Sequence, residues 1–207
     1  NIRNVDAILH VVRCFEDEDV THVDGGVSPT RDIETIELEL IFSDLESLER
    51  RMQRFVKQAR SGDKEAKFHL ATAEKIKAVL EDGRLAGSGD WSEEEWASIH
   101  DAQLITSKKV LFICNVDDGG LEGDGPLVDE VRAHAEKSGS GVVVICAQAE
   151  AEISELEEEE RAEFLADLGI GEPGLHKLAR ATYSLLGLQT YFTAGPKEIR
   201  GEVGLQT

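Results

Sequence analysis

The chain has 207 residues, with 22 basic and 42 acidic side chains and a formal net charge of −20. That balance excludes DNA or RNA binding through a broad basic surface, because such affinity comes from Lys and Arg displacing counterions, although a local basic stripe is still allowed. At 41% hydrophobic and 31% charged, with 7 Phe, 2 Trp and 2 Tyr, the composition is that of a helix-rich globular chain of one or two domains, and not that of a disordered one.

No run approaches the roughly 18 to 20 unbroken apolar residues of a membrane helix. Asn1–Asp6 has no secretory-signal character, so a cytoplasmic protein with no membrane partner is expected. Cys14, Cys114 and Cys146 are odd in number, widely spaced, and each in or beside an apolar run. The expectation is buried free thiols in a reducing compartment, with no metal-ligand spacing such as CxxC and no metal site.

The first element is the apolar run Ala7 to Phe15, which reads as a strand buried on both faces, as in parallel sheets. Glu16 to Thr30 has no periodicity and reads as a loop of functional length. From Asp32 a heptad begins, with Leu38, Ile41, Leu45, Leu48, Met52, Phe55 and Ala59 stepping alternately by 3 and 4. This is a coiled-coil seam. Ser61-Gly62-Asp63 breaks it, and Asp63 is placed to cap a second helix with Ala66, Leu70, Ala73, Ile76 and Leu80 on one face. So short a turn makes the two helices antiparallel neighbours. Ser92 with Glu95 predicts a capping box at the start of a third helix.

Val110 to Cys114 and Gly141 to Cys146 are two more strand candidates, with a helical pattern from Pro126 to Lys137 between them. Strand, helix, strand at this length is a βαβ unit with parallel strands. The acidic run Glu155 to Glu160 sits inside a helical pattern and reads as a solvated face. A helix from about Leu175 to Leu186 ends at Gly187, and Leu188 to Thr207 is extended and Gly-punctuated. Strand-like segments thus lie on both sides of a helical insertion, which defines an α/β sheet domain interrupted by a helical hairpin.

Two strand tips carry candidate chemistry. Asn115-Val116-Asp117-Asp118 comes after one strand, and Cys146-Ala147-Gln148 comes after the other. Open α/β sheets hold their ligands at such carboxyl ends. An Asn carboxamide can read a purine edge, and a nearby carboxylate can accept from ring N–H groups. The same residues also make an ordinary Asx-type turn.

Four segments narrow this choice. NIRNVDAILHVVRCFED at 1–17, DIETIELEL within 27–45, ICNVDD at 113–118 and GLQTYFTAGPKEIR at 187–200 closely resemble the YchF group of Obg-like ATPases, P-loop NTPases of the translation-factor class. The resemblance runs in order over about residues 1 to 200. It implies a Ras-like G domain (parallel sheet) with an inserted antiparallel coiled-coil hairpin and a C-terminal TGS β-domain. The implied boundaries are 1–30 and 105–187 for the partial G domain, 31–104 for the insertion and 188–207 for the beginning of TGS.

The resemblance also implies residue roles. Asn115, Val116, Asp117 and Asp118 fall on the base-recognition motif, where NVDD departs from the guanine-favouring NKxD and the family commonly ends in Glu. Cys146, Ala147 and Gln148 fall on the second base-contacting loop. His22, in the loop VTHV, matches a histidine the family is thought to use near the γ-phosphate. The other histidines carry no such warrant.

The activity implied by the resemblance is ATP (or GTP) binding and hydrolysis with Mg²⁺ in a ribosome-associated protein. The alternative is a non-catalytic module that docks on a partner, ribosome or RNA, through its hairpin. Arg50, Arg51, Arg54, Lys57 and Arg60 put a basic end near the hairpin tip; a solvated face is the plainer reading. No GxxxxGK[ST] loop occurs in these residues, and the sequence departs from the family at Gly201. The expectation is therefore a truncated piece of a longer enzyme that binds nucleotide weakly by itself.

Overall fold

The computed structural model describes residues 2–16, 26–194 and 199–205. They fall into two compact units, one of residues 1–6 and 31–108 and the other of residues 7–30 and 109–207.

The sheet unit contains β1 (Ala7–Arg13), β2 (Lys109–Asn115) and β3 (Gly141–Ile145), all parallel in the order β1-β2-β3. The register pairs Arg13 with Asn115 and Asn115 with Ile145, so all three strands finish at one edge. Because side chains alternate across a strand, β2 serves two cores. Leu111 and Ile113 join Val143 and Ile145 against Leu178, Ala181 and Leu185 of α7 (Gly174–Leu186). On the other face Phe112 meets His134 of α4 (Pro126–Ser138) edge-on at 5.6 Å, and Val128, Val131 and Ala135 of that helix are buried.

The expectation of a first strand buried on both faces is corrected. β1 lies at the edge of the described sheet, and Leu9 and Val11 are 43% and 61% exposed. Its composition is that of a central strand, but only Val12 within it is fully buried. The acidic stretch is also not one helix. It divides into α5 (Ala147–Glu155) and α6 (Glu158–Asp167), because Leu156 and Glu157 are extended and Glu157 starts a new capping box with Glu160. The last residues form an antiparallel hairpin, β4 (Leu188–Ala194) with β5 (Ile199–Leu205), after Gly187 ends α7 in the left-handed conformation.

In the helical unit, α1 (Pro29–Arg60) and α2 (Lys64–Glu81) form the predicted antiparallel hairpin. Lys77 reaches Glu49 at 2.6 Å, and the Phe55 and His69 rings stack at 5.3 Å nearer the turn. Asp63 caps α2 by accepting from the N–H groups of Glu65 and Ala66. Ile41, Leu48, Ala73, Ile76 and Leu80 share a core with Ile99 of α3 (Glu93–Ala102), whose Ser92–Glu95 capping box is formed as expected. Lys75 of α2 pairs with Glu95.

Leu38, placed in the seam by its spacing, is exposed instead. The buried position that the heptad reading misses is Asp44. Its carboxylate is fully buried and accepts from the N–H groups of Ile105 at 3.1 Å and Thr106 at 2.8 Å, the Thr106 hydroxyl at 2.8 Å and Arg3 at 2.7 Å. α1 is thereby tied to the return segment at 105–106 by a buried charge whose two oxygens each accept two hydrogen bonds.

Replacing Asp44 with Ala strips four donors of one acceptor and removes the carboxylate that pairs with Arg3. The unit is expected to lose about 3 to 5 kcal/mol, the usual cost of breaking a buried pair from one side. Urea unfolding followed by helical circular dichroism measures it.

Candidate functional site

The site grows from the common carboxyl edge of β2 and β3. The chain turns sharply after each strand, and one hydrogen bond joins the two turns: the Ala147 N–H donates to Asn115 Oδ1 at 2.9 Å. Below it, the Val116 N–H donates to the Ile145 carbonyl at 2.9 Å. With Oδ1 taken, Asn115 keeps its two Nδ2 hydrogens for anything that enters. Beside it is a pocket of about 380 Å³ lined by Phe15, Glu16, Asn115, Val116, Asp117, Cys146 and Gln148. A second of about 490 Å³ runs from Cys14, Phe15 and Glu16 past Val116 and Asp117 to the start of α4.

The structure therefore brings six of the seven nucleotide-site candidates to one crevice or its rim: Asn115, Val116, Asp117, Cys146 and Gln148 line it, and Ala147 supports Asn115. Asp118 is placed differently. It lines neither pocket, and its Oδ1 accepts from the Cys146 thiol at 3.2 Å. His22 lies outside the described residues. Phe15 and Glu16, which line both pockets, went unnoticed in the sequence. Their signal was position alone, since they come directly after a strand that ends at the same edge.

Two further features hold the second loop. Cys146 caps α5, its sulfur accepting from the Ala149 N–H at 3.5 Å. Glu150, buried on the first turn of α5, accepts from the Gly174 N–H at 2.5 Å and the Leu175 N–H at 3.3 Å. It thus supplies the start of α7 with the acceptor its free N–H groups need. The approach is close enough to demand glycine, because a Cβ on Gly174 would sit 2.7 Å from Ile145 Cγ2 and 3.0 Å from Glu150 Oε1. No motif marked this clasp in the sequence.

All three cysteines are free and buried, as expected. The Cys14 thiol is pushed far above its ordinary value of 9.0, first by its hydrogen bond with Cys114 and then by burial. Burial is also the main cause that raises Cys146, and Asp118 adds to it while the Ala149 N–H opposes it. Both groups therefore stay thiols at neutral pH, and Cys146 is a hydrogen-bond donor.

An open parallel α/β sheet with a polar crevice at its carboxyl edge, interrupted by a helical hairpin, defines the class of this chain. No protein-family model matches it. Among curated relatives, the Ribosome-binding ATPase YchF of Pasteurella multocida is 51% identical over 200 residues, covering 97% of this chain and 55% of that protein. The protein of the same name from Bacillus subtilis is 46% identical over 202 residues, with the same shares. The Obg-like ATPase 1 of Oryza sativa subsp. indica is 32% identical over 203 residues, covering 97% of this chain and 51% of its own. The solved structure of the Schizosaccharomyces pombe YchF GTPase superposes with a TM-score of 0.84 at 29% identity, over 98% of this chain and 56% of that one.

The chain belongs to the YchF group of Obg-like ATPases. It spans about half the length of the curated relatives it matches.

Two outcomes are expected from this geometry. Gly174→Ala should destabilise the chain by about 1 to 3 kcal/mol through overpacking against Ile145 and Glu150, read as a lower urea midpoint. The Cys146 thiol, raised by burial, keeps in the folded chain a proton that the unfolded chain releases, so its contribution to stability is full below 9.0 and falls as pH rises past that value. Urea melts on both sides of it, with iodoacetamide labelling that is slow until the chain unfolds, test this.

Proposed function

We propose that this chain supplies the base-recognising edge and the helical insertion of an ATPase, with GTP as a possible second substrate, that acts in the cytoplasm in association with ribosomes. The observation that carries the reading is the Asn115–Ala147 bond, which joins two strand tips around a pocket of purine scale. In this reading Asn115 Nδ2 donates to the purine N7, which adenine and guanine share as an acceptor. Val116 and Gln148 flank the ring, and Asp117 faces the opening. His22 acts near the γ-phosphate in hydrolysis. Residues 1–30 and 105–187 form the partial G domain, 31–104 the insertion and 188–207 the start of a TGS domain.

The family implies Mg²⁺ alongside the nucleotide. Among the described residues no group of three or more His, Cys, Asp or Glu is placed to hold a metal ion, and no step is routed through Mg²⁺. The 207-residue sequence also carries no GxxxxGK[ST] loop to cradle phosphates. These residues position the base, and catalysis needs groups beyond them.

A second reading rests on a different surface. Ser47, Arg50, Arg51, Arg54, Phe55 and Gln58 line a groove of about 440 Å³ on α1. Three guanidiniums in a chain of net charge −20 make a local cation patch suited to ribosomal RNA phosphate, and this patch would dock the hairpin without catalysis.

In the whole protein, Asn115→Ala should weaken ATP binding about tenfold by removing one buried polar contact, while His22→Ala spares binding and slows hydrolysis. Calorimetry and phosphate release separate the two effects. The 207-residue chain alone is expected to show neither tight binding nor turnover, and micromolar affinity for ATP would refute this assignment of roles.

A further inference from the structure

The groove on α1 joins positive charge to an aromatic ring, and a site for phosphate alone has no use for the ring. Ser47, Arg50, Arg51, Arg54 and Gln58 recur along α1 at helical spacing, so they form one polar stripe. Arg50 and Arg54 are offset by about 6 Å along the axis, at about 1.5 Å per residue. That is close to the step between successive phosphates of an extended nucleotide strand. Phe55, half-buried, lines the same groove.

The ring is held from all three helices of the unit. His69 of α2 stacks on it at 5.3 Å with 21° between the planes, and Ser98 of α3 fixes His69 through Oγ, 2.8 Å from Nδ1. The Arg51 guanidinium carbon lies 6.0 Å from the ring centroid, and its NH1 donates to the Asp101 carbonyl at 2.9 Å. A platform set in this way before binding loses little ordering entropy when a ligand arrives. The nearby carboxylates do not close the groove to anions. Glu49 is engaged by Lys77 at 2.6 Å, and Glu46 meets Arg50 only at 3.6 Å in a pair whose side chains are 74% and 65% exposed, which phosphate displaces at small cost.

These features separate two forms of RNA. In an A-form duplex the bases are stacked inside and the major groove is too narrow for side chains, so a duplex brings this groove only its phosphate ridge. An unpaired nucleotide brings a phosphate and a π-face together, and every base has such a face. The groove, of about 440 Å³, is on the scale of pockets that hold one small molecule.

We propose that the α1 groove receives an unpaired nucleotide of single-stranded RNA, with the base stacked on Phe55 and the adjoining phosphates paired with Arg50, Arg51 and Arg54. The proposal rests on the reading of the hairpin as an RNA-docking surface. It adds that the partner is recognised by an exposed base and not by backbone charge alone.

The test is fluorescence anisotropy of the full chain with a short labelled RNA free of internal pairing, the same strand with abasic sugars, and the same sequence as a duplex. The wild type should bind the single strand about tenfold tighter than the abasic strand, within the range of one stacked base. Phe55→Leu, which keeps an apolar side chain against α2, should reduce the single strand to the abasic level and leave the abasic strand and the duplex within about twofold. Phe55→Tyr should keep the wild-type preference. Arg54→Gln should weaken the normal and abasic strands alike and lower the salt slope by about 0.7, the share of one single-strand phosphate.

Equal affinity for the normal and abasic strands overturns the proposal while the docking reading stands, and so does a Phe55→Leu chain that keeps the single-strand preference. A polyglutamate peptide that competes as well as the single strand also overturns it, since it brings charge without a base. If the wild type binds none of the three RNAs, the docking reading fails and the proposal with it. Helical circular dichroism checks that Phe55→Leu is folded. Should it not be, NMR contacts between base protons and the Phe55 ring in the wild-type complex decide, and their absence overturns the proposal.

Discussion

The parallel register of β2 on β3 is the constraint on which the rest of the sheet unit depends. Because Asn115 is paired with Ile145, both strands end together and their outgoing loops leave the same edge. The Asn115–Ala147 bond then becomes possible, and with it a crevice whose wall combines residues 32 positions apart in sequence. A slip of one residue would send every side chain of a strand to the opposite face and dismantle both cores. The apolar runs Leu111 to Cys114 and Val143 to Ile145 hold that register by filling the space under α4 and α7 on opposite faces of the sheet.

The second loop is held from several directions at once. Cys146 caps α5, Glu150 reaches across to the N-terminus of α7, and Gly174 permits that approach by lacking a side chain. A loop fixed in this way presents its groups without losing ordering entropy at the moment of binding, which is how a preformed site gains affinity. The helical unit obeys the same principle with a different device, since the buried Asp44 carboxylate satisfies donors from Arg3, Ile105 and Thr106 and so closes the insertion on itself.

Much of this was legible in the sequence, and the reasons differ by element. The βαβ unit was readable because Val110 to Cys114 and Gly141 to Cys146 are unbroken apolar runs, which suit a strand covered on both sides. The hairpin was readable because its 3-4 spacing lasts for several turns and ends at a capping Asp63. Leu38 was misplaced because a heptad marks which residues share a stripe and not where the partner helix stops. Asp44 was missed because an acid beside a seam reads as solvated, and only three-dimensional contact shows its partners. The edge position of β1 was hidden because its composition is that of a covered strand. For the site, the motif residues Asn115 to Asp118 were evident, whereas the turn of Asp118 onto Cys146 depends on a contact 28 residues away that no local pattern encodes.

The central claim is that the crevice at the ends of β2 and β3 receives the purine of the nucleotide. A crystal structure of the whole protein with a non-hydrolysable ATP analogue tests it most directly. The adenine ring is expected between Val116 and Gln148, with Asn115 Nδ2 donating to N7 while Oδ1 keeps its bond to the Ala147 N–H. An adenine ring bound elsewhere, with Asn115 and Gln148 facing solvent, would contradict it.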